Sequence, residues 1–421
     1  MSQSRRPQPH NPLRFPDGFL WGTASAAYQV EGDNKNADWW EWENEPGHIA
    51  EGATSAIACD HYHRYREDFA LLRELNQNAH RLSIEWSRIE PSEGVFDAGQ
   101  IRHYRDVLGE LRGQGIMPMV TLHHFTNPIW FSRKGGWTAA GSEHAFMPFV
   151  RRVVDELGDL VGMWCTINEP SIYAANGWIS GEFPPGRRGD LSGQFKVTRN
   201  LHRAHQLAYE AIKRRWPDAP AGLSHHKFLF IPASDARSDR YATRAAQMVV
   251  DRWPARQGQL RNIVAASSDY IGIAHYWGQN AAFAPDRPKD LFVRRFNPPG
   301  LRVTDFGFGS DPSWMRPVLN ELRRYNKPVY ITENGIATKD DAWRETYLVQ
   351  ILSAVHQAIE DGVDVRGYFH WTNMDNFEWA RGYTARFGLI AVDRKTMERT
   401  VKPSGRLYAR IATANAVPVL D

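Results

Sequence analysis

The stretch Pro328-Val-Tyr-Ile-Thr-Glu-Asn-Gly335 decides the reading of this chain. Val329 to Thr332 are β-branched or aromatic, which suits a short buried strand. The run stops on a carboxylate, Glu333, and Asn334-Gly335 follows as a turn signal. A charge is costly within a strand buried on both faces, so Glu333 belongs at the strand's C-terminal tip, facing a cleft. Met163-Trp-Cys-Thr-Ile-Asn-Glu-Pro170 has the same grammar: an apolar strand, then Asn168-Glu169, then Pro170, read as unfriendly to helix. Two strand-end carboxylates, one ionised and one protonated, are what acetal chemistry with two carboxylates needs. They lie far apart in sequence, and a closed barrel is the fold that gathers strand ends.

Working outward, the remaining strand signals fall at regular intervals. Phe19 to Ala27 is the first, ending near Gln29 and Glu31, and a polar, Trp-rich loop (38 to 42) follows it. Helical spacing of Tyr62, Tyr65, Phe69, Leu72 and Leu75 begins near Asp60. Ala79 to Trp86 and Met117 to His124 are the second and third strands, separated by a helix from about Asp97 to the glycines at 113 and 115. A loop from Phe125 to Gly141 leads to a helix carrying Phe146 to Leu157, and Met163 to Asn168 is the fourth strand. A long loop, Pro170 to Gly193, precedes a helix with Leu201, His205, Ala208 and Ile212. Ala221 to Lys227 is a weak fifth strand, Tyr270 to Trp277 the sixth, and the opening stretch the seventh. A helix between Ala342 and Ile359, an eighth strand from Val365 to Thr372, and a last helix after Pro403 complete the alternation. With no interior Pro/Ser-rich linker, this reads as an α/β chain forming a single (β/α)8 TIM barrel. An open doubly wound sheet shares the alternation but does not explain a polar residue at nearly every strand's end.

The totals exclude several classes. A chain of 421 residues buries a large core, and 42% hydrophobic with 24% charged residues is ordinary for a globular protein. A net charge of +3 is too small and dispersed to argue for nucleic acid. Cys59 and Cys165 are the only cysteines, so no disulfide framework is expected and a reducing, cytoplasmic setting is compatible. Residues 1 to 14 are expected to be a flexible tail and 15 to 421 one catalytic domain. The tail holds Arg5-Arg6 without an apolar segment behind it, and no run is long enough to span a membrane. Sixteen tryptophans suggest flat aromatic surfaces along a cleft.

Barrel active sites sit at the C-terminal ends of the strands. Collecting strand ends gives Gln29, Arg81, Glu85, His124, Asn168, Glu169, Tyr276, Glu333 and Trp371, with Asp375-Asn376-Phe377-Glu378-Trp379 just beyond. Carboxylates, an always-charged Arg, amides and aromatic faces are what a sugar asks for: many hydroxyls to satisfy and an apolar ring face to stack. There is no phosphate cradle or nucleotide fingerprint, so no cofactor is called for.

These words resemble those of glycoside hydrolase family 1, the β-glucosidase and β-glycosidase group. Phe19 to Gly32, Thr166 to Pro170, Ile331 to Gly335 and Asp375 to Trp379 occur in the family's order, within a resemblance from about Phe15 to Leu407. The resemblance implies a retaining hydrolase that works by double displacement on β-glucosides, related β-galactosides and β-fucosides, and cello-oligosaccharides. Glu333 matches the nucleophile and Glu169 the acid/base, the latter holding its proton while Glu333 is charged. Arg81 and Tyr276 match the residues that orient the nucleophile. Gln29, His124, Asn168 and Glu378 match the hydroxyl-binding set, Trp371 the ring platform, and Trp379 and Phe387 the pocket wall. A carboxylate at Glu378 suits neutral sugars and repels a 6-phosphate.

Departures from the family pattern are His123-His124-Phe125 in place of Tyr-His-Trp, and Ala274-His275-Tyr276 in place of Asn-Tyr-Tyr, which removes an amide beside the catalytic pair. The segment from Lys227 to Asp269 is compact, which implies open outer subsites. Paired histidines (61/63, 123/124, 202/205, 225/226) lack a full ligand set, so no metal is expected. Cys165 reads as core. Glu85 reads as structural, with Arg81 or Arg88 as its partner, and Trp39, Trp40 and Trp42 either line the cleft mouth or pin their loop. A transglycosylase, a sugar-binding barrel with weak activity and a metal-dependent hydrolase remain as rivals, and a homo-oligomer is compatible.

Overall fold

Eight short strands, buried along almost all their length, run parallel around a closed barrel: β1 (Leu20–Ala24), β2 (Ala79–Ser83), β3 (Met117–His123), β4 (Met163–Asn168), β5 (Ala221–His226), β6 (Ile271–Ala274), β7 (Val329–Asn334) and β8 (Val365–Trp371). Each pairs with the next in sequence, and β8 returns to β1 through Trp371 opposite Ala24. The computed structural model describes residues 11–247, 266–287 and 292–418. The (β/α)8 barrel expected from the strand signals is the fold.

Local chemistry explains where the outer helices start. Asp97 accepts from the backbone of Gly99 and Gln100 and so opens the helix Ala98–Gly113. Asp340 does the same for Asp341–Glu360, and Asp190 for Leu191–Arg215. These helices lay apolar faces on the barrel wall: Phe69, Leu72, Leu108 and Val153 share one buried cluster with Val120 and Trp164, and Val355 and Leu352 share another with Ile331 and Val365. At the mouth, the backbone after β7 passes so close to β8 that a Cβ on Gly335 would lie 2.1 Å from the Trp371 carbonyl oxygen.

Several expectations need correction. Residues 38 to 42 are no loop but part of a helix, Asp38–Glu43, and Trp39 is fully buried beneath it, against Trp379 and Phe183. Pro170 does not block a helix; it starts one, Pro170–Ala175, at a first-turn position whose N–H would have no partner anyway. The loop from Phe125 likewise contains a helix, Ile129–Arg133. Of the expected tail, residues 1–10 lie outside the described ones. Leu13 and Arg14, which fall within it, pair with Val417 and Ala416 beneath the barrel.

A small three-stranded sheet was not anticipated. Gly278–Phe283 pairs parallel with Leu229–Pro232 and antiparallel with Val293–Phe296, above the exits of β5 and β6. Among the described residues no helix is long and apolar enough to cross a membrane.

Candidate active site

Glu333 stands near the end of β7 and is 3% exposed. Arg81 Nη1 donates to its Oε1 at 2.6 Å, and the Tyr276 hydroxyl donates to its Oε2 at 2.8 Å. Arg81 is not at a strand end as expected. It sits inside β2 and reaches the mouth by its length, held by Nε to the Thr121 hydroxyl (2.9 Å) and by Nη2 to Asn168 Oδ1 (2.6 Å). Burial raises the Glu333 carboxyl to about 7; Arg81 opposes this, and the Glu169 charge adds to it. Tyr276, pushed far up by burial and by Glu333, keeps its proton and remains a donor.

Glu169 follows β4 directly, with its backbone in the left-handed region (φ 39°, ψ 60°), and is 5% exposed. An ordinary residue there costs about 1 kcal/mol or more. The turn is anchored by the Glu169 N–H, which donates to the Ser224 carbonyl (2.8 Å), and by His226 Nδ1, 2.7 Å from Glu169 Oε1.

The hydrogen bonds around Asn168 and His124 fix their own directions. Arg81 can only donate, so the Asn168 atom facing it is the carbonyl oxygen, and the amide nitrogen must face His124 Nε2, 3.2 Å away. Burial holds His124 neutral by pushing its pKa well below the usual imidazole range. Its Nε2 therefore accepts, and Nδ1 carries the proton. That Nδ1–H is buried and has no protein partner, as is true of Gln29 Oε1. An orphaned donor beside Trp379 and an orphaned acceptor beside Glu378 are suited to hydroxyl groups.

Gln29 lies beyond β1, in the single turn Ala27–Val30, rather than at the strand's end. Its amide nitrogen donates to the Phe377 carbonyl (2.9 Å) and to Glu378 Oε2 (3.2 Å). Burial raises Glu378 to about 8, with the Trp371 side chain bonding it in opposition and Glu333 adding to the rise. Trp371 ends β8 and stacks on His124, with ring centroids 5.8 Å apart and planes 21° apart. Trp379 packs beside His124 at 6.2 Å, and Phe387 closes the Tyr276 side at 5.9 Å. The structure thus brings together all eleven expected residues.

Other expectations fare less evenly. Glu85 is structural, but neither arginine is its partner: Ser87 and Thr126 hydroxyls hold it (both 2.8 Å), while Arg88 pairs with Glu31 (2.8 Å). Cys165 is buried in β4. No three His, Cys, Asp or Glu side chains among the described residues gather to hold a metal ion. His226 was missed as a site residue. It closes the strand read as weak, and the rule that strand ends carry the chemistry, applied there, points to it.

A parallel barrel with two carboxyls at the ends of its fourth and seventh strands, one held by Arg81 and Tyr276 and the other by His226, beside buried polar atoms without a protein partner, defines a glycosidase-like site. The family model "Glycosyl hydrolase family 1" matches residues 11–259 and 254–417. "Beta-glucosidase A" of Thermotoga maritima is 33% identical, over 97% of this chain and 99% of that one. Among solved structures, a β-glycosidase from Pyrococcus horikoshii shares 35% identity with a TM-score of 0.88 over 97% of this chain and 96% of its own. The Thermotoga maritima family 1 β-glucosidase shares 32% with a TM-score of 0.91, over 97% and 100%. The chain belongs to glycosyl hydrolase family 1 and is an O-glycosyl hydrolase.

Proposed function

We propose that the protein is a retaining β-glycosidase that removes terminal non-reducing β-D-glucosyl residues, and with them β-galactosyl and β-fucosyl residues, from oligosaccharides and from aryl and alkyl glycosides. The observation that carries this reading is the environment of Glu333. Both of its oxygens face groups that donate here, Arg81 and Tyr276, which is the setting that orients an attacking carboxylate. Relatives named as β-glucosidases, and one solved with isofagomine lactam bound, support the choice of sugar.

In the first step Glu333 attacks the anomeric carbon while Glu169 protonates the departing oxygen. Forming the glycosyl ester consumes the Glu333 charge. Glu169, now a carboxylate, takes a proton from water, whose oxygen attacks the anomeric carbon on the face the aglycone left, opposite Glu333, and displaces the Glu333 carboxylate. Asn168, beside Arg81, binds the hydroxyl next to the reacting carbon. His124 Nδ1–H and Gln29 Oε1 take the hydroxyls further round, and Glu378 the far end. Trp371 lies under the ring, with Trp379 and Phe387 as walls. One domain from residue 15 onward holds every group, and no cofactor or metal enters any step. Two buried, unpaired cysteines suit a cytoplasmic home; self-association into a homo-oligomer is compatible with the reading.

The test is trapping. A 2-deoxy-2-fluoro-β-glucoside with a good leaving group is expected to raise the protein's mass by one fluoroglucosyl unit, on the peptide containing Glu333. Turnover with no adduct, or an adduct elsewhere, contradicts the assignment.

A further inference from the structure

His226 is the residue against the two carboxyls that the steps above leave without a role. Its Nδ1 makes the one side-chain hydrogen bond to the Glu169 carboxyl among the described residues, at 2.7 Å, with the two side chains only 3% and 7% exposed. The barrel's register explains why the ring fits. His226 pairs with Ala274, and Ala274 with Glu333, so the three occupy one level of β5, β6 and β7. The middle position carries only a methyl group, which leaves space above it for an imidazole.

The ring is held on its faces as well. Tyr276 stacks on it at 6.4 Å with planes 17° apart, and Trp277 and Phe228 pack at 5.8 and 5.7 Å. Tyr276 is the residue that donates to Glu333. Two stacked rings therefore each hold one of the two carboxyls. His226 Nε2 is buried without a partner, so the ring's polar contact with the protein is the one to Glu169. The Glu169 backbone is in the left-handed region, where nothing about the turn alone fixes the side chain's direction.

Resting on the glycosidase reading above, we propose that His226 is the positioning residue of the acid/base. Its Nδ1–H holds Oε1 of Glu169, and Oε2 is the oxygen that gives and takes the proton. As the glycosidic C–O bond breaks and a Glu333 oxygen bonds the anomeric carbon, the Oε2 proton moves to the departing oxygen. As water's oxygen later bonds that carbon and the ester bond breaks, a water proton moves to Oε2. His226 keeps its own proton throughout.

The prediction separates two leaving groups. A dinitrophenolate departs unprotonated, whereas methoxide needs its proton delivered on time. kcat/KM is measured for wild type, His226→Phe and His226→Asn on 2,4-dinitrophenyl β-D-glucoside and methyl β-D-glucoside. His226→Phe keeps the ring packing and loses the donor; it is expected to lose about 10²-fold on the methyl glucoside and less than about threefold on the dinitrophenyl one. His226→Asn places an amide nitrogen where Nδ1 stands, and is expected to recover the methyl glucoside to within about tenfold of wild type. Equal losses on both substrates, no loss on either, or an Asn variant no better than the Phe variant overturn the role. A wild-type protein inactive on both glucosides takes down the glycosidase reading and the His226 role together, whereas an active one with an unmoved ratio takes down the latter alone.

Discussion

Arg81 Nη1 lies 2.6 Å from Glu333 Oε1, with both side chains shut from solvent and 252 residues of chain between them. The same guanidinium serves Asn168 and Thr121, so one side chain ties β2, β3, β4 and β7 together at the mouth of the barrel. Removing one member of such a buried pair leaves the other charge uncompensated. Arg81→Met is expected to cost about 3–5 kcal/mol of stability in denaturant titration. Arg81→Lys keeps the charge but cannot serve Glu333 and Asn168 as a fork, and a fall of about 10²-fold in kcat/KM is expected. A Lys variant at wild-type rate contradicts the bidentate role.

The two carboxyls differ in what their loss does. Glu333→Gln removes the attacking oxygen for every substrate, and turnover is expected to fall by about 10⁴-fold or more on aryl and alkyl glucosides alike. Glu169→Gln removes a proton donor, so its kcat/KM loss on the methyl glucoside is expected to exceed that on the dinitrophenyl glucoside by about 10²-fold. Losses of the same size on both substrates in the Glu169 variant contradict its acid role.

Glu378 links the pocket to stability. Its carboxyl, raised by burial to about 8, is bonded by Trp371 and Gln29 and faces Glu333, whose charge pushes it further up. The unfolded chain releases this proton at about 4.3. Between those values the native state holds more protons, so this group's contribution to stability falls as pH rises through the window. Glu378→Gln removes the dependence. The melting temperature of the variant relative to wild type is therefore expected to climb by a few degrees from about pH 5 to about pH 8. A difference that stays flat or declines contradicts the assignment.

The same carboxylate bears on substrate choice. A phosphate on the sugar's 6-oxygen would have to leave water beside Glu378, a buried side chain that offers it no positive charge to pair with. Aryl 6-phospho-β-glucoside is expected to be hydrolysed at least about 10³-fold less efficiently than the unphosphorylated glucoside in side-by-side kcat/KM measurements. Comparable efficiencies would show that the sugar's 6-position lies elsewhere.

What the sequence told and withheld follows the physics of each element. The barrel was legible because each strand is a short apolar run closed by a polar residue, a pattern that burial on both faces imposes. Ends read without their neighbours were less secure. Pro170 reads equally as a breaker or as the first residue of a helix, and only the fold chooses. Arg81 and Gln29 reach the site from inside a strand and from the turn after one, because a long side chain need not start at the rim. The small sheet of Gly278–Phe283, Leu229–Pro232 and Val293–Phe296 has no clear alternation to announce it. His226 was hidden for a further reason: the histidine pair reads only as a metal site lacking a full ligand set, whereas its meaning depends on the methyl group of Ala274 on the neighbouring strand.

The account stands most directly on stereochemistry. Hydrolysis of p-nitrophenyl β-D-glucoside followed by proton NMR shows which anomer is released before mutarotation mixes them. Double displacement by Glu333 and Glu169 predicts that the β-anomer signal appears first. If the α-anomer appears first, water attacks directly from the opposite face, the carboxyls act across a wider gap, and the covalent role of Glu333 is wrong.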